Sequence, residues 1–141
     1  IEHMLETDIG CGEGGPAHYR AERHMISAVA KQERYPFDPN DGVQAVGLYR
    51  KAATCYEAVG EPKSAQHART QASRLASRIR IDFQVHQTRL ERSVKYQAYS
   101  QALVEARFLQ RLVIHKKTEY SRWIDGVERR LSLAVAEGAE E

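Results

Sequence analysis

Six histidines and two cysteines are the side chains of this 141-residue chain best suited to hold a metal or carry nucleophilic chemistry. Their spacing argues against both. No His-Glu-x-x-His run occurs, and no histidine has a glutamate three positions before it, as carboxylate-bridged di-metal bundles require. His18 and Glu22 stand one helical turn apart, the spacing of an ordinary surface contact. Cys11 lies in a glycine-rich stretch and Cys55 inside a helical pattern. Two such cysteines make neither a zinc signature nor a disulfide framework, so Cys55 is expected as a small core residue. No Walker-type glycine loop and no Gly-x-Ser-x-Gly elbow is present. Asp82 and Glu91 are too scattered along a basic segment to form a carboxylate pair. The chain is therefore expected to be no enzyme and to need no cofactor.

Charge gives a second candidate chemistry. The net charge of +2 hides a division, because residues 1–62 sum to −4, residues 63–130 to +9 and the last eleven to −3. Arg69, Arg74, Arg78, Arg80, Arg89, Arg92 and Lys95 face only Asp82 and Glu91. Such clustering can bind phosphate, with Arg74, Arg78 and Arg92 as the candidate anion-binding residues. Nucleic-acid modules usually add stacking aromatics or a helix-turn-helix, and neither is evident. Solvated arginines covering apolar surface with their stems are the favoured alternative.

The elements that must position these groups are helices. Between Pro62 and Gly126 there is neither Gly nor Pro. An all-β fold would need turn residues every 8–12 positions. No apolar run reaches the length of a membrane span. With no secretory signal evident, a cytoplasmic location is expected. Ile1-Glu2-His3-Met4 has the look of a cloning remnant, and residues 1–15 together read as a flexible lead-in. Residues 16–137 read as one helical domain and 138–141 as a frayed acidic tail, and the whole is expected to be part of a larger protein.

Within that domain, Ala21, Met25, Ala28 and Val29 mark a first helix. A two-proline loop follows, whose Tyr35 and Phe37 are expected to pack on the core. Asp38 caps a second helix, with Pro39 at its first position and Val43, Val46, Tyr49, Ala53, Tyr56 and Val59 as its stripe. Gly60-Glu61-Pro62 stops it. A third helix carries Ala65, Ala68, Ala72, Leu75 and Ile79. One helix over 63–95 would be about 50 Å long, so turns are expected near 78–81 and 93–97. Tyr99 to Val113 continue the pattern. Thr118 caps a last helix with Trp123, Val127, Leu131 and Ala134 on its stripe.

The hairpin over about residues 46–76 resembles a tetratricopeptide (TPR) repeat, through Tyr49, Ala52, Ala53, Tyr56, Gly60, Ala65 and Ala72. Residues 99–109 resemble the second helix of a degraded copy, with Ala102 corresponding to Ala65. The resemblance implies an all-α stack of five to six helices in antiparallel hairpins, with an irregular bundle holding one long helix as the alternative. It also implies an adaptor or scaffold that takes a peptide or helix of another protein in a groove. The groove-facing residues would be Arg50, Thr54 and Glu57, with Gln84, Gln87 and Glu91 from the weaker copy. An anionic partner, nucleic acid included, is the alternative, and self-association through the long helix is a third reading.

Overall fold

The structure is a computed structural model that describes residues 1–5, 10–12, 15–35 and 37–138, apart from the His3 side chain. The expected acidic tail beyond Gly138 lies outside the described residues. A four-residue helix, α1 (Glu2–Leu5), is followed by α2 (Ala17–Arg34), α3 (Pro39–Ala58), α4 (Pro62–Lys95), α5 (Tyr99–Leu112) and α6 (Glu119–Ala136). Among the described residues there is no strand, and the all-α class is as expected. The lead-in is not wholly without structure, because α1 forms and its Leu5 is buried.

Contacts divide the chain into two units, Glu2–Ile79 and Arg80–Glu141, the latter including Ile1. In the first unit α2 and α3 are antiparallel. The turn between them is held by Asp38, whose side chain accepts from the Asn40 amide at 3.2 Å, and Pro39 sits at the first helical position. Asp41, in that first turn, takes Arg34 Nε at 2.8 Å and Lys31 Nζ at 3.4 Å. Arg34 above all holds the Asp41 carboxyl below its usual range. Tyr35 is buried as expected. Phe37 is not: it is 89% exposed, because Tyr35 already fills the space over Gly42.

Gly60, at φ +72°, takes the next turn and aims the chain into α4. Ala52, Ala53 and Ala68 form the buried contact of the α3–α4 hairpin, with Met25 and Tyr56 packed on them. Ala65, Ala72, Leu75 and Ile79 are buried too, so every residue assigned to this stripe faces inward. Ala53→Leu or Ala65→Leu should overpack this contact and cost about 1–3 kcal/mol. Thermal melts that tolerate both would rule out the close approach.

α4 runs 34 residues without interruption. The turn expected near 78–81 is absent, and one long helix, the stated alternative, is what forms. The division between units nevertheless falls there, after Ile79. What changes at that point is the set of packing partners, not the backbone. The second expected turn is real. Gln97, at φ +58°, reverses the chain, and the Ala98 amide closes onto the Ser93 carbonyl at 2.8 Å.

In the second unit the later half of α4 packs with α5 and α6. α5 and α6 are antiparallel, joined by Gln110 Nε2 to Asp125 at 2.7 Å and Arg107 to Glu128 at 3.7 Å. Thr118 caps α6 in a reciprocal box with Ser121: the Ser121 amide donates to Thr118 Oγ1 at 3.1 Å and the Thr118 amide to Ser121 Oγ at 2.8 Å. The buried face of α6 is Ser121, Ile124 and Leu131. Trp123, expected on the buried stripe, is instead 45% exposed, because Ile124 occupies the inward position beside it.

Candidate functional site

Each unit holds one set of the groove residues read from sequence. α3 carries Arg50, Thr54 and Glu57, but ten of its twenty residues are buried, so it offers little free face. Arg50 and Thr54 are half-buried, and the Thr54 hydroxyl donates back to the Arg50 carbonyl at 3.1 Å. Glu57 is exposed and pairs with Arg69 of α4. Gln84, Gln87 and Glu91 sit on the later half of α4. Gln84 and Glu91 are exposed and Gln87 half-buried. Gln87 accepts from the Tyr120 hydroxyl at 2.8 Å and donates to Glu91 at 3.3 Å.

Gln87 and Glu91 border a groove of about 390 Å³ between α4 and α6. Its floor is apolar, made by Leu90, Val94, Trp123 and Val127, and Arg130 stands at its edge. Val94 and Trp123 leave 43% and 45% of their surface open to solvent. An aromatic row supports the Trp: Phe83 lies 5.4 Å from Tyr120, and Tyr120 lies 5.5 Å from Trp123, centroid to centroid. Burial raises the Tyr120 phenol far above its ordinary value, and Glu91 adds to the rise. Tyr120 therefore stays a neutral donor that anchors Gln87 and the row. The sequence pattern assigned Trp123 to the core, and only its exposure in the groove floor gives it another use.

The candidate anion-binding residues are all exposed: Arg74 and Arg78 in the first unit, Arg92 in the second. Arg78 is placed by Tyr35, whose ring centroid is 4.9 Å from its guanidinium carbon. It also borders a more polar groove of about 560 Å³ with Gln32, Tyr49, His67 and Gln71.

Two constellations were not read from sequence. In the second unit, Glu105 is buried on α5 and meets His86 Nδ1 through Oε2. Its Oε1 accepts from Gln101 Nε2 at 2.7 Å. The His86 ring stacks on Phe108 at 3.7 Å. The signal existed: Glu105 is the one acid on the face of Ala102, Ala106 and Leu109.

In the first unit, Cys11 and Cys55 form a disulfide. This corrects the expectation that they would stay unpaired. Cys55 is fully buried, as a core residue should be, but its sulfur is bonded to the lead-in. The bridge closes 44 residues, which chain entropy alone makes worth about 4 kcal/mol. A glycine-rich lead-in has no periodicity, so nothing in the sequence placed Cys11 beside α3.

Among the described residues no three of His, Cys, Asp and Glu converge as a metal site would need. No model of a known protein family matches the chain, and neither a curated protein nor a solved structure matches it.

Proposed function

We propose that the protein is a non-enzymatic interaction module of TPR-like build, an adaptor or scaffold that takes an amphipathic helix of a partner protein. The observation that carries this reading is the α4–α6 groove, with Val94 and Trp123 open to solvent in its apolar floor. A half-exposed Trp in an apolar groove is the kind of side chain on which binding energy concentrates. Gln87 and Glu91 at the rim supply polar contacts that orient a ligand helix. The repeat resemblance supports the same use, since it put both residues on a groove-lining helix.

Trp123 is the only tryptophan, so its fluorescence reports on this groove alone. A partner recovered with the wild-type protein should shift that emission to the blue on titration. Trp123→Ala or Val94→Asp should abolish capture while the helical circular dichroism stays unchanged. Capture that survives both substitutions rejects the groove.

A second reading has its own support in the exposure of Arg74, Arg78 and Arg92. An anionic partner, nucleic acid included, would then bind at Arg74 and Arg78 in the first unit or at Arg92 in the second. Affinity for RNA or DNA that falls steeply with salt and is lost on Arg74→Glu with Arg78→Glu would favour it over the first.

No helix among the described residues is long and apolar enough to cross a membrane. Residence in the cytoplasm belongs to the same proposal. The Cys11–Cys55 bridge bears on it, because a disulfide in that compartment is usually transient or redox-sensing, whereas lasting ones mark oxidising surroundings.

A further inference from the structure

The surroundings of Cys11 differ from those of a buried structural disulfide. Cys11 is half-exposed and sits between Gly10 and Gly12, outside any helix. Gly12, at φ +89°, holds a backbone shape that side chains rarely take. The Arg20 guanidinium places Nη2 3.3 Å from Cys11 Sγ, while the same group bonds the Gly15 carbonyl. Its Nε is buried without a partner among the described residues. His24 Nε2 lies 3.3 Å from the Cys11 carbonyl. Burial, and then Lys51, Arg20 and Arg23, hold His24 below its ordinary pKa, against the pull of that carbonyl. Among the described residues, the charged groups acting on His24 are thus Arg20 and Arg23 from α2 and Lys51 from α3.

We propose that the Cys11–Cys55 bridge is a thiol-exchange site, at which Cys11 forms a mixed disulfide with a small anionic thiol of the glutathione type. The attacking thiolate bonds to the sulfur of Cys11, the half-exposed member of the bridge. The Cys11–Cys55 bond breaks, and the electron pair leaves with Cys55, which takes up a proton. A second thiol then attacks the small-molecule sulfur, releasing a symmetric disulfide and the Cys11 thiolate. Two thiols are oxidised and one protein disulfide is reduced. In the return direction Cys11 attacks the small disulfide, and Cys55 expels the small thiol. Arg20 stabilises the Cys11 thiolate at both ends of the cycle. The Arg20 guanidinium beside the Cys11 sulfur favours a thiol that carries carboxylates over one that carries an amine.

The test uses the full chain and intact-mass spectrometry. With Cys55→Ser, glutathione disulfide should modify Cys11 about tenfold faster than it modifies Cys55 in Cys11→Ser. Glutathione disulfide should also outpace cystamine, which is cationic. Arg20→Met should slow the Cys11 reaction several-fold and move its pH profile upward, and Arg20→Lys should restore most of the rate. Because Cys55→Ser could loosen the lead-in, the wild-type bridge is followed as well: millimolar glutathione should open it, more slowly in Arg20→Met. A wild-type bridge that resists glutathione overturns the proposal. So does a Cys11 that reacts no faster than in urea, or that is indifferent to Arg20.

Discussion

His86→Leu should destabilise the second unit by about 3 kcal/mol, read as a lower midpoint in urea followed by circular dichroism. The size follows from what remains behind. Glu105 is buried, with only 3% of its side chain accessible, and His86 covers one of its two oxygens. Leucine fills similar space but offers no donor, and α5 cannot turn Glu105 outward, since Ala102, Ala106 and Leu109 lie on the same buried face. A buried carboxyl that loses a partner costs several times what the contact contributes net. The double replacement His86→Leu with Glu105→Leu should therefore recover most of the loss, because both polar groups leave together. If the double variant instead costs the sum of the two single variants, the pair is not a mutually dependent buried contact. Phe108, stacked on the imidazole, serves as a control: Phe108→Leu removes packing without stranding a polar group and should cost less than His86→Leu.

Wherever one side chain or one turn decides the local structure, the fold was legible. Asp38 with Pro39, Gly60 with Pro62 and the Thr118 cap each satisfy helix-end groups by themselves, so their effect does not depend on what packs nearby. The Ala65–Ile79 stripe was legible because a helix with one buried face must repeat it every turn. Legibility stopped where the answer needed a distant partner. Helix length placed a turn near 93–97, but it did not single out Gln97, which turns the chain in a left-handed backbone without glycine. The turn expected near 78–81 rested on the same length argument, which did not apply there, since α4 serves both units in succession. Phe37 read as core by hydrophobicity alone and Trp123 by its place on the helical stripe. Their exposure follows from Tyr35 and Ile124 having taken the inward places. The candidate site divides in the same way: Gln87 and Glu91 were found by helical register, whereas the groove they border needs α6 beside them.

Gly42→Ala should cost about 2–4 kcal/mol, against the usual sign for such a change inside a helix. Gly42 is the fourth residue of α3, where alanine ordinarily gains about 1 kcal/mol in helix propensity. Here a Cβ would lie 2.1 Å from Tyr35 Cδ1, 2.7 Å from Cε1 and 2.8 Å from Cγ. The obstacle is the body of an aromatic ring, not the free end of a flexible chain, so the ring must leave. Tyr35 is only 2% exposed, and Arg78 sits over it. Losing a buried aromatic from its seat costs about 3–5 kcal/mol, which outweighs the propensity gain. The two contributions separate in a second background. In Tyr35→Ala the obstacle is gone, so Gly42→Ala should there stabilise by up to about 1 kcal/mol. Urea midpoints of the four proteins check this reversal of sign. A Gly42→Ala that stabilises in both backgrounds means that Tyr35 is not seated on Gly42, and that Arg78, which rests on that ring, is not positioned by it either.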